Sequence, residues 1–330
     1  MQRRVAASAP LWCSLMSVPN ERRAARIVTA LTDTSALTST TSLAGAAVAV
    51  VALAALVVVS AAAKDSANTP VDLLGLLTRL GERVEAYYAR AQSIMCLETV
   101  RVQRMNHDLT PEPHMRVLIY ELHVQRDGAT GADPVPEANV RRQLMTINGR
   151  VPKPNGDPDC LDPNETALDA LSFLLPHHQG EYTFSYKGSG RLNGRAVAMI
   201  DYAPVSAAPA EATWRDGCVS VEAPAHVTGR IWIDAATGDV LRFDERMRGP
   251  IDLEIPRPQR LSESVVSMTF ERADASIRFK AVAFTDPDET VLLPESIETL
   301  TVARGAFSSI RMTHTFTGYQ RFVTGARIIQ

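Results

Sequence analysis

Histidines, cysteines and carboxylates are the residues here whose chemistry could serve catalysis, and their spacing builds no familiar site. The seven histidines are His107, His114, His123, His177, His178, His226 and His314. None belongs to an H-E-x-x-H motif, which would set two imidazoles on one helix face around zinc. His177 and His178 follow a helix stop and point two ways, so a polar loop is expected there rather than a metal site. His123 and His314 fall on expected strands, where pairing on a solvated face is expected over catalysis. Asp157, Asp159, Asp162, Asn164 and Glu165 are rich in oxygen ligands, but they lack EF-hand register and Pro158 and Pro163 restrict the loop. Gly188–Ser189–Gly190 is not a G-x-S-x-G elbow, and it is expected between strands rather than before a helix. No P-loop or dinucleotide fingerprint occurs. Paired carboxylates for glycoside cleavage need no local motif, so a hydrolase with a loop-built site stays an open alternative. No catalytic residue, metal ligand or cofactor is assigned.

The remaining candidates are apolar side chains at alternate positions. Leu118, Tyr120, Leu122, Trp232, Phe243, Ile310, Met312 and Phe316 could line a ligand cavity, or they could fill a core. Strand register decides which face each occupies, and a slip of one residue reverses the answer.

Two kinds of element must position these residues. Residues 70–93 read as one amphipathic helix, with Thr69 as cap and Pro70 at the first position. Leu73, Leu77, Leu80, Val84, Tyr87, Ala91 and Ile94 share its buried face, although Gly75 and Gly81 weaken it. From Ile94 onward the period changes to two. Strands are expected over 94–103, 116–126, 140–147, 182–187, 196–202, 218–222, 229–234 and 239–245. Four more follow at 264–272, 276–284, 293–304 and 309–319, separated by short turns such as Ala-Asp-Ala. Residues 164–175 read as a short second helix stopped by Pro176. The fold class is therefore mainly β with α: a curved antiparallel sheet or open β half-barrel covered by the N-terminal helix and the short second helix.

Ahead of this domain stands Leu43–Ala63, a run of 21 residues without a charge. Arg3, Arg4, Arg22, Arg23 and Arg26 precede it, within a basic and Ser/Thr-rich leader over 1–42. Ala61 and Ala63 form an A-x-A pattern, so the run is a secretory signal cut after Ala63, or an uncleaved anchor long enough to span roughly 30 Å of hydrocarbon. A start at Met16 would shorten the leader. In both cases residues 64–330 form a single exported domain, in the periplasm or cell envelope, soluble if cut and otherwise held at the inner membrane by 43–63. That domain carries 29 Lys and Arg against 35 Asp and Glu, which offers no electrostatic footprint for nucleic acid. Of its three cysteines, Cys96 lies in an apolar alternating stretch and reads as a buried free thiol. Cys160 and Cys218 lie beside turns and are the expected disulfide, worth roughly 4 kcal/mol in the chain-entropy model.

The hairpin GRIWIDAATGDVLRFDE (229–245), the helix-to-strand unit RVEAYYARAQSIMCLETVRVQ and the terminal LLPESIETLTVARGAFSSIRMTHTFTGYQRFVTGARI resemble uncharacterised exported bacterial proteins of the LolA/LolB-like fold. The resemblance covers most of residues 80–327 and implies an open half-barrel with a helical lid, whose cavity accepts acyl chains in the lipoprotein carriers. A non-enzymatic binder of a lipid or other apolar ligand is the function it implies. The alternative is an envelope domain with a filled interior and a protein partner. Peptide mapping of the exported protein should find a mature N-terminus at Lys64 and a Cys160–Cys218 crosslink; an intact leader in the membrane fraction would select the anchor.

Overall fold

The computed structural model describes residues 72–91, 93–126, 138–153, 170–206, 208–215, 218–260, 263–305 and 308–321. The expected membrane segment, the oxygen-rich loop and Cys160 lie outside these residues. Among the described residues, no helix is long and apolar enough to cross a membrane.

Helix α1 spans Leu73–Arg90 and is capped by Asp72, whose side chain accepts from the Gly75 N–H at 2.9 Å. The expected caps Thr69 and Pro70 lie outside the described residues. The helix buries Leu80, Val84, Tyr87 and Tyr88, close to the face expected from the spacing. Gly81 stands where the chain crosses closely: a Cβ there would lie 2.9 Å from the Gln179 amide and 3.0 Å from the Pro176 ring. Gln179 uses this approach to donate to the Leu77 and Leu174 carbonyls. A glycine that weakens the helix locally is what lets the 176–179 turn dock on it.

The strands are β1 (Ile94–Met105), β2 (Pro111–Arg126), β3 (Ala138–Ile147), β4 (Tyr182–Leu192), β5 (Arg195–Pro204), β6 (Glu211–Arg215) and β7 (Cys218–Glu222). They continue with β8 (Val227–Asp234), β9 (Val240–Met247), β10 (Ile251–Glu254), β11 (Ser267–Thr285), β12 (Asp288–Arg304) and β13 (Ser309–Arg321). Eleven of them form one antiparallel sheet in the order β3-β2-β1-β13-β12-β11-β9-β8-β5-β4, with β10 beside β11; β6 and β7 pair separately. Among the described residues the sheet is open, with no closed barrel.

Three expectations need correction. Residues 264–272 and 276–284 belong to the single strand β11, because Ala273 and Ala275 face the core and the chain passes through Ala-Asp-Ala without turning. Gly188–Ser189–Gly190 lies within β4 rather than between strands; the turn comes later, at Asn193–Gly194, both at positive φ. The second helix is not seen: residues 172–174 form one 3-10 turn, and 164–169 lie outside the described residues.

Ladder register aligns one inward residue per strand into a continuous row. Ile147, Leu118, Val100, His314, Ile297, Ile277, Phe243, Ile231 and Ile200 are successive partners across nine strands. Helix α1 and the 171–175 segment pack on this face. Farther along the strands the same face continues as a second cluster, where Val219 and Val221 of β7 cover Ile251, Met268 and Phe270.

The β8–β9 hairpin shows why its sequence reads as it does. Asp234 is buried and accepts from the Ala236 and Thr237 N–H groups at 2.8 and 2.9 Å, and Gly238 closes the turn at φ +76°. Burial pushes this carboxyl up, but those N–H groups and the Arg195 charge outweigh it and hold the carboxyl below its ordinary range. Asp239 in the same turn receives the Arg83 Nε at 2.5 Å, tying α1 to the hairpin. Gly229 leaves room for Tyr202, whose hydroxyl donates to Glu245 at 2.7 Å.

Gly229→Ala would place a Cβ 2.4 Å from the Tyr202 ring and 2.5 Å from the Asp244 carbonyl oxygen. Urea denaturation should register a loss of about 3 kcal/mol, the upper range for overpacking; an unchanged midpoint would contradict this packing. Because the folded Asp234 carboxyl titrates below its unfolded value, its contribution is complete above the unfolded pKa of about 4 and is lost as pH falls through the folded one. Asp234→Asn should flatten that acid limb.

Candidate functional site

On the inner face of the sheet, strands β1, β3 and β13 bring together a buried polar triad. Glu98 of β1 is 0% exposed and His314 of β13 is 2% exposed. His314 Nδ1 lies 2.7 Å from Glu98 Oε1, and Arg142 of β3 reaches Glu98 Oε2 with Nε at 2.9 Å and Nη2 at 2.8 Å. The Arg142 guanidinium also sits over the Tyr120 ring, 3.8 Å from its centroid. Three strands thus deliver the groups, with β1 at the centre. The carboxylate faces both a cation and an imidazole N–H, which offsets the cost of burying it.

His314 therefore does not lie on a solvated face. Its parity with Met312 and Phe316 puts it inward, just as Glu98 shares parity with Cys96 and Val100. That parity was the available signal, since a charged residue at an inward position of an alternating strand must find a partner. His123 does pair on the other face, 2.7 Å from Glu121. His178 contacts Glu181 at 2.8 Å. Among the described residues, no group of three His, Cys, Asp or Glu could hold a metal ion.

Of the apolar candidates, Leu118, Tyr120, Leu122, Phe243, Ile310, Met312 and Phe316 all belong to the inward cluster. Trp232 does not. It alternates with buried Ile231 and Ile233, so it faces the opposite side, where the Arg242 guanidinium lies 4.9 Å from its ring centroid. Cys96 is buried and free, as expected. Desolvation and the nearby Glu98 charge push its thiol up to about 12, against a smaller opposing effect of Lys280. The backbone of Cys218 stands on β7, but its partner in the expected disulfide lies outside the described residues.

The outer face has the opposite character. A groove of about 1050 Å³ there is lined by Trp232 and by charged residues of β5, β8, β9, β11, β12 and β13. Arg230 binds Asp201 at 2.5 and 3.1 Å, Arg242 binds Asp244 at 2.8 Å through both nitrogens, and Arg272 binds Asp274. The Arg230 hydrogen bonds hold the Asp201 carboxyl below its ordinary range. These pairs are cross-strand or two residues apart on one strand, so the face is a latticework of neutralised charge.

The chain is structurally similar to proteins of the LolA superfamily and to lipoprotein-sorting domains, at low sequence identity. A LolA superfamily protein from Nitrosomonas europaea matches at 7% identity and a TM-score of 0.33, over 77% of this chain and 97% of that one. A putative outer membrane lipoprotein-sorting protein domain from Vibrio parahaemolyticus matches at 7% identity and 0.32, over 76% and 94%. A DUF1329 family protein from Desulfovibrio piger matches at 8% and 0.36, over 77% and 94%. No family model matches the chain, and no curated protein matches it.

Two outcomes are expected of this site. Glu98→Ala should cost about 3–5 kcal/mol in denaturant unfolding, because it leaves Arg142 without its carboxylate in a mostly buried position. Cys96 should resist alkylation at pH 8 in the folded protein and react once urea unfolds it, as read by peptide mass spectrometry.

Proposed function

We propose that this protein is an exported cell-envelope binder of a lipid or other acyl ligand, held without chemistry on the inner face of the sheet beneath α1. The observation that carries this reading is a broad apolar inner face that is buried along its central row and only partly covered at its borders. The inward row crosses nine strands, about 38 Å at ordinary strand spacing. Helix α1 has 18 residues and is about 27 Å long. Among the described residues, α1 and the 171–175 segment are the covers that pack on it. At its borders Leu144, Ile147, Tyr182, Phe184 and Leu292 are only partly buried. Such a face can exchange helix contact for acyl contact at about 25 cal/mol per Å² of apolar surface.

Export rests on the uncharged run 43–63, which hands the domain to a membrane. A periplasmic or envelope location follows from the same run. Release of ligand would proceed by movement of α1, which is tied by the Arg83–Asp239 pair and by Gln179.

A second reading is favoured by the outer groove. An envelope domain with a filled interior would use that charged surface against a protein partner, and the inner face would then be core alone.

Native mass spectrometry of the gently purified exported protein, with lipid extraction alongside, separates the two. Retained lipid that is lost on removing residues 70–93, and released faster from Arg83→Ala, is the expected result. A folded protein that carries no lipid and rejects added acyl probes would overturn the carrier reading and leave the interaction domain.

A further inference from the structure

Every member of the inward row is apolar except His314, and its imidazole is half used. Nδ1 is engaged by Glu98 at 2.7 Å, while Nε2 is buried with no hydrogen-bond partner among the described residues. The tautomer follows from the network. Glu98 is held by Arg142 as a carboxylate, so it accepts, and Nδ1 carries the proton. In the neutral ring this leaves Nε2 as a lone-pair acceptor. An acceptor in that position is an unfilled demand, because a buried polar atom without a partner is costly relative to one that has found it.

Neighbours within the sheet sharpen what could fill it. Val100 and Ile297 flank His314 across the ladder, and Met312 and Phe316 flank it along β13. None of these can donate a hydrogen bond. The ring cannot readily turn away, since Glu98 is anchored by a guanidinium that is itself stacked on Tyr120. The arrangement fixes an acceptor in a strip of hydrocarbon, with the Glu98–Arg142 pair behind it.

We infer that the inner face binds an alkyl ligand bearing one hydrogen-bond donor, a hydroxyl, amide N–H or protonated acid, which is received by His314 Nε2. This rests on the acyl-binding reading and specifies its polar end. The chain of the ligand lies along the isoleucine and phenylalanine row, and Glu98 acts as a positioning residue that holds the imidazole in the accepting tautomer. A ligand with the same chain but no donor would fill the strip and leave Nε2 without its bond.

Dodecanol and methyl dodecyl ether, which differ by replacement of the hydroxyl proton with a methyl group, test this by competition against a fluorescent fatty-acyl probe. The protein purified from an export host should bind the alcohol about tenfold more tightly than the ether, the worth of one hydrogen bond. In His314→Phe that preference should vanish while affinity for the ether is kept. Should that variant fail to fold, nitrogen NMR of the wild-type imidazole supplies the answer: the Nε2 resonance should move with the alcohol and stay with the ether. Equal affinity for both probes, or an Nε2 signal indifferent to bound alcohol, would overturn the donor assignment and leave acyl binding intact. Failure of the acyl probe itself to bind would overturn both.

Discussion

Antiparallel register is the constraint on which the rest of this structure depends. Because side chains alternate, the pairing of each strand with the next decides which half of its residues meets the core. Here nine strands agree, and one inward residue from each falls into a single row from Ile147 to Ile200. The apolar cluster and the seat of α1 follow from that agreement. So does the charged outer face, since each outward residue sits beside outward neighbours of the adjoining strands. Arg230 between Asp201 and Asp244 is the direct result.

Within this frame, departures from regularity mark where something must fit. Gly81 opens α1 to the 176–179 turn, and Gly229 opens β8 to the Tyr202 ring. The register shifts in β11, between Phe270 and Arg272 and again between Arg278 and Phe279, let one long strand serve both core clusters. A regular strand of that length would send part of its apolar set to the wrong side. The buried Glu98–His314–Arg142 group is a departure of another kind, polar where its neighbours are not. Such a group is weak evidence for stability by itself, because hydrophobic residues of similar volume would serve packing as well. Its interest lies in the acceptor it presents.

The chain's own order of residues determined a good deal. The three/four spacing after residue 72 specifies α1 whatever surrounds it, and period two specifies β1, β2, β8, β9 and β13, because a half-buried strand has no other way to separate water from core. Asp234, Thr237 and Gly238 specify their turn through local hydrogen bonds and a positive φ, which need no distant partner. What only the tertiary structure decided is every relation between distant strands. Trp232 has the composition of a cavity residue and the parity of an outer one. Ala-Asp-Ala has the composition of a turn and is extended because β9 and β12 pair with it on both sides. Glu98 and His314, 216 residues apart, become one hydrogen-bonded pair because β1 and β13 are neighbours in the sheet. Local periodicity carries the direction in which a side chain points; only the closing of the ladders supplies what it meets there.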